Sequence, residues 1–198
     1  MKTLLVVDVQ NDFCPGGALA VNRGDEVVDF INARRDEFPL VIFTQDWHPA
    51  GHASFASSNP GTQVGQVIQL GGVDQIMWPD HCVQGTHGAE FHKDLQVRAG
   101  DPVFRKGQDS AIDSYSAFVD NDGRLETGLR AFLQDRNIGL LEVVGLATDY
   151  CVLFSVLDGL RFGFSVQVNP GGCRAVNLDP DDEERAYRQM RDAGAVIV

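Results

Sequence analysis

The chain is short of positive charge: across 198 residues, 16 lysines and arginines stand against 28 aspartates and glutamates, a net charge of −12. A binder of duplex nucleic acid needs a basic footprint, so no nucleic-acid partner is expected, and no anionic membrane surface either. Cysteine is scarce: Cys14, Cys82, Cys151 and Cys173 are widely spaced, with no C-x-x-C pair. That spacing excludes a dense disulfide framework and a zinc ribbon. Long hydrophobic runs are missing. The run at 4–7 is stopped by Asp8, too short for the core of a signal peptide. Nothing approaches the ~18 apolar residues of a membrane-spanning helix. No low-complexity linker and no internal repeat divides the sequence. The expectation is one domain over residues 1–198 in a reducing, cytoplasmic setting, with monomer and homo-oligomer both open.

What is present is an alternation of two patterns. Short apolar, β-branched runs at 4–7, 40–43, 102–105, 140–144, 164–168 and 195–198 read as buried strands. Helical spacing fills most of the gaps, at 25–35, 126–136 and 148–161. A last helix is opened by Asp179-Pro180 and stopped by Gly194. Strands alternating with helices predict an α/β fold: a six-stranded parallel sheet flanked by helices on both faces. One connection breaks the rhythm. Residues at about 46–100 show little periodicity, yet they hold all five histidines and both tryptophans. A loop that long inside one domain is usually functional, and ligands of open parallel sheets sit beyond the carboxyl ends of the strands.

The strand ends carry the chemistry. The first delivers Asp8, the third leads into Lys106-Gly107, and the fourth leads through Gly145-Leu146-Ala147-Thr148-Asp149-Tyr150 to Cys151. A carboxylate, an ammonium and a thiol at one sheet edge make a nucleophile with a base and an electrostatic activator. At a helix start, with Lys106 adjacent, Cys151 is expected to be held as thiolate. Backbone N–H groups at the same helix start suit an oxyanion. Each residue also has a plainer reading: Cys151 as a small core residue, Asp8 as a turn cap, Lys106 as a surface charge. After the second strand comes Asp46-Trp47-His48, whose first and third side chains share one side of an extended segment. With His81 from the long loop they form a donor set for a divalent metal, zinc, iron or manganese; the alternative is three polar loop residues. His52 and Ser54 are possible additions to that set, and His87 and His92 read as surface residues.

The segments Val7-Asp8-Val9-Gln10-Asn11-Asp12-Phe13-Cys14, Gln45-Asp46-Trp47-His48-Pro49 and Trp78-Pro79-Asp80-His81-Cys82-Val83 form a pattern with three later ones. These are Lys106-Gly107, Asp113-Ser114-Tyr115-Ser116-Ala117-Phe118 and Gly145-Leu146-Ala147-Thr148-Asp149-Tyr150-Cys151-Val152. With them the chain resembles the nicotinamidase (pyrazinamidase) family of the isochorismatase-like cysteine hydrolases, over nearly its whole length. The resemblance implies the Rossmann-like fold of that superfamily. It further implies hydrolysis of nicotinamide, and of pyrazinamide, to the acid and ammonia through a cysteine thioester, in NAD salvage. It gives Asp8, Lys106 and Cys151 the catalytic roles and makes Asp46, His48 and His81 the metal ligands. Ser54 stands where some members supply a further ligand. Phe13, Trp78, Tyr115, Leu146 and Ala147 are placed around the substrate, with a cis peptide between Leu146 and Ala147. The N–H groups of Ala147 and Cys151 form the oxyanion hole, and the metal takes the pyridine nitrogen. One departure is Gly171, where many relatives carry Asp before Gly-Cys-Arg. Two other readings are a metal-independent amide or carbamoyl hydrolase on the same triad, and a silent nicotinamide-binding protein.

Overall fold

A sheet of six parallel strands, in the order β5-β2-β1-β6-β7-β8, organises the chain; the computed structural model describes residues 2–198. In chain order its strands are β1 (Lys2–Val7), β2 (Val41–Asp46), β5 (Val103–Lys106), β6 (Leu140–Leu146), β7 (Ser165–Arg174) and β8 (Val196–Ile197). The helices are α1 (Glu26–Arg34), α2 (Leu129–Asp135), α3 (Leu153–Arg161) and α4 (Asp182–Asp192). None of these helices is long and apolar enough to cross a membrane.

The continuous apolar runs are buried on both faces, and their alternation sorts them into two cores. Leu5, Val7, Leu141, Val143, Val166 and Val168 pack with Leu129 and Leu133 of α2, Val156 of α3, and Ala186 and Met190 of α4. Leu4, Val6, Val144 and Leu146 pack with Val27, Val28 and Ile31 of α1. Handedness explains the division: right-handed crossovers running one way from β1 lie on one face, and those running the other way on the opposite face. The long connection from β2 to β5 runs in the same direction as β1 to β2. It therefore covers the α1 face in place of a second helix, contributing Cys82, Ala89 and Leu95 to that core.

Four details differ from the sequence reading. The long connection contains an antiparallel hairpin, β3 (Val67–Leu70) and β4 (Val73–Ile76). It turns at Gly71-Gly72, both with positive φ. Its strands are at most half-buried apart from Gln75, and apolar and polar residues do not alternate cleanly along them. Second, β7 runs on through Asn169-Pro170-Gly171-Gly172, which reads as a turn. Its pairing with β6 passes from Val143–Val168 to Gly145–Cys173, and the surplus residues bulge. Phe30 of α1 packs on that bulge: a Cβ at Gly171 would stand 2.5 Å from its ring, so a larger residue there would displace the ring. Third, residues 148–152 form a π-helical turn, with Val152 N–H donating to Ala147 C=O at 3.1 Å, before α3 begins. Fourth, Asp179-Pro180 lies in a turn one step ahead of α4, while Gly194 ends that helix with φ +106° as expected.

Candidate active site

The strand order places β1 between β2 and β6, and the chain leaves its two sides on opposite faces. A crevice opens at the carboxyl ends where such an order reverses. Register sets what stands there. Val7 pairs with Gly145, so Asp8 follows β1 beside the end of β6. Gly145 has φ +124°, and a Cβ on it would lie 2.0 Å from Val7 C=O, so only glycine lets the two strands meet. Asp46 pairs with Lys106 across β2 and β5.

Lys106 is the hub. Its Nζ is 2.9 Å from Asp8 Oδ2 and 3.2 Å from Asp46 Oδ1. It donates to Ser114 C=O at 2.8 Å and reaches Cys151 Sγ at 3.5 Å. Asp8 also accepts from Thr44 Oγ1 at 2.6 Å. All of these side chains are buried. Burial works against the Lys106 charge, but Asp46 and Asp8 outweigh it and hold the ammonium well above its ordinary pKa. Burial raises the Asp8 carboxyl, with Lys106 opposing. Burial likewise pushes the Cys151 thiol well up; Lys106 pulls it down, and Asp8 and Asp46 push it further up. Desolvation and the two carboxylates thus work against the expected thiolate, and Lys106 works for it.

Asp46, His48 and His81 present ligand atoms that all lie within 4.8 Å of one another. His48 Nδ1–H donates to Gly107 C=O at 2.9 Å, and His81 Nδ1–H to Pro79 C=O at 2.8 Å. These bonds turn both Nε2 atoms toward Asp46 Oδ2, at 3.1 and 3.4 Å. His48 Nε2 is buried without an aligned hydrogen-bond partner. A fixed tautomer, a buried Nε2 left over and a carboxylate alongside suit a divalent cation. Burial disfavours the charged imidazole of His48, yet Asp46 lifts it to about 9; proton and metal compete for that nitrogen. Gly107 makes room: its φ is +66°, and a Cβ there would lie 2.5 Å from His48 Cε1 and 2.8 Å from Asp46 Oδ1. The His52 ring lies tilted against His48, centroids 4.3 Å apart, but its Nδ1 meets Ser54 at 2.8 Å and Nε2–H donates to Asp109 C=O at 2.7 Å. Both ring nitrogens of His52 are thus engaged outside the group.

A narrow cleft joins the two constellations, with Phe13, Trp78, Tyr115 and Ala147 on its walls and Asp46, His81 and Cys151 inside. Trp78 Nε1–H donates to Tyr115 Oη at 3.1 Å, and the Leu146–Ala147 peptide is cis. Leu146 itself is no wall: its side chain falls on the α1 side of β6, fully buried in the core. Leu19, Asp113, Tyr150 and Val176 complete the lining, and Thr44 and Gln10 hold the site from beneath. Gln10 accepts from Asp46 N–H and donates to Asp46 C=O, both at 2.8 Å. The sequence reading missed all six. Thr44 stands two residues before Asp46 on the same side of β2, and that period was a signal; Asp8 has φ +48°, so no such period leads to Gln10. Leu19 and Val176 carried none.

An isochorismatase-domain model matches residues 2–198. A nicotinamidase of Escherichia coli (strain K12) is 50% identical over 200 residues, covering 99% of this chain and 93% of that protein. A solved nicotinamidase–pyrazinamidase of Acinetobacter baumanii superposes with TM-score 0.96 at 44% identity, covering 100% of this chain and 95% of that one. The pyrazinamidase of Pyrococcus horikoshii, solved in complex with zinc, gives TM-score 0.80 at 33% identity, covering 100% and 98%.

Proposed function

The chain belongs to the isochorismatase family and, within it, to the nicotinamidases, and from that premise we propose that it hydrolyses nicotinamide to nicotinic acid and ammonia through a thioester on Cys151. The observation that carries this is the Lys106 ammonium, in reach of Asp8, Cys151 and Asp46 at once. It links a nucleophile and base to a metal-type donor set at one cleft.

Proton removal from Cys151 accompanies its attack. Cys151 Sγ adds to the carboxamide carbon while Asp8, whose raised pKa suits it to hold a proton, takes the thiol proton. Lys106 keeps the charge of the pair balanced. The N–H groups of Ala147 and Cys151 receive the oxyanion, an effect worth about 3–4 kcal/mol per donor. Asp8 returns the proton to the leaving nitrogen, and ammonia departs. Water then adds to the thioester, gives a proton to Asp8, and releases nicotinic acid and the thiol. Phe13, Trp78 and Tyr115 hold the ring, and pyrazinamide fits the same walls. Asp46, His48 and His81 would hold a divalent cation, which when bound supplies an open position for a pyridine nitrogen. Zinc is our first assignment, supported by the zinc-bound relative, with iron and manganese as the other cations such donors take.

The role we assign is NAD salvage. Four free thiols, Cys14, Cys82, Cys151 and Cys173, fit a reducing cytoplasm. The test is ammonia release from nicotinamide, with benzamide as the control lacking the ring nitrogen. Turnover of nicotinamide and little of benzamide is expected; no ammonia from nicotinamide by metal-loaded protein overturns the proposal.

A further inference from the structure

Asp149 stands two residues before Cys151 in the π-helical turn, and its buried carboxylate bonds to main chain rather than to a cation. Oδ1 accepts from Val176 N–H at 2.9 Å and Oδ2 from Asn177 N–H at 2.8 Å. One side chain thereby ties the segment after β7 to the turn carrying the nucleophile. Val176 lines the cleft and packs against the core that includes Phe13 and Ala147. Asn177 takes a left-handed φ of +52°, which turns the chain away toward α4. Its own Oδ1 accepts from Glu183 N–H at 2.9 Å in the first turn of that helix.

We propose that Asp149 is a positioning residue for substrate: by docking the Val176–Asn177 turn it fixes Val176 as one wall of the cleft, and so sets ring size and fit. A carboxylate is the side chain for this task, because each of two successive amides needs its own acceptor and charged acceptors bond more strongly. An amide there offers one oxygen and turns an NH2 toward the second N–H. This assignment rests on the reading of the cleft as the nicotinamide site, whereas the docking itself does not.

The test compares Asp149→Asn and Val176→Ala with the parent. Asn177 still holds α4 in Asp149→Asn, so the variant is expected to fold. Nicotinamide KM should rise roughly tenfold, the scale of one lost charge-assisted hydrogen bond, with kcat within about twofold. Discrimination against a ring-methylated nicotinamide should relax in both variants. Lost active fraction alone would lower turnover of both substrates equally and leave their ratio unchanged. Hydrogen exchange at the Val176 and Asn177 amides should accelerate in Asp149→Asn. An unchanged KM and ratio overturn the proposal, as does a fall in kcat alone, which would place the carboxylate's effect on Cys151. Should Asp149→Asn not fold, Val176→Ala decides: no change in KM or ratio overturns it. A parent inactive on nicotinamide defeats the functional reading, while unchanged amide exchange defeats the docking.

Discussion

At the scale of single residues, the site is governed by one buried cation among three acidic partners. Lys106 lowers the pKa of Cys151, acting against burial and against Asp8, Asp46 and Asp113. Lys106→Met should therefore move the pH midpoint of Cys151 alkylation upward and slow the reaction with iodoacetamide at neutral pH. A midpoint that stays or falls refutes the role. Cys151→Ala removes the nucleophile while disturbing little volume. Ammonia release should drop by several orders of magnitude with far-UV circular dichroism unchanged. Retention of more than about a tenth of parental kcat would end the assignment.

At the scale of elements, glycines decide how closely strands and loops meet at the site. The shape of the metal group depends on the missing side chain of Gly107, where a Cβ would strike both His48 and Asp46. Gly107→Ala and His48→Ala should each reduce bound metal, measured by elemental analysis of dialysed protein. In both, nicotinamide KM should rise strongly, and the already poor turnover of benzamide should respond much less. Full metal content and unchanged KM in both variants would return Asp46, His48 and His81 to ordinary polar residues.

At the scale of the whole molecule, the buried thiols couple folding to alkaline pH. Burial, with a contribution from Asp25, lifts Cys14 to about 11, and burial lifts Cys173 to about 12. Unfolded, each ionises near 9. Between those values the folded chain binds more protons than the unfolded one. This contribution to stability is complete below pH 9 and is lost as pH rises toward 12. Melting temperature should be level up to about pH 9 and fall above it, with a shallower fall in a Cys14→Ala/Cys173→Ala variant. An equal slope in parent and variant contradicts the account.

Local pattern and residue chemistry carried much of this protein. Six apolar runs already determined six strands, because a strand buried on both faces must be apolar throughout. Motif spacing marked Asp8, Asp46, His48, His81, Lys106 and Cys151, because strand ends in a parallel sheet converge on one edge. The β3–β4 hairpin stayed hidden, since its short, mostly half-buried strands bear no clean apolar alternation. So did the run of β7 through Pro170, where a bulge packed on Phe30 replaces the expected turn. Val176 lines the cleft with its N–H tied to Asp149, a partner 27 positions away. The upward push on the Cys151 thiol was out of view for the same reason. A helix start and a lysine are visible in sequence, but desolvation and the nearness of Asp8 and Asp46 exist only once the chain has closed around the thiol.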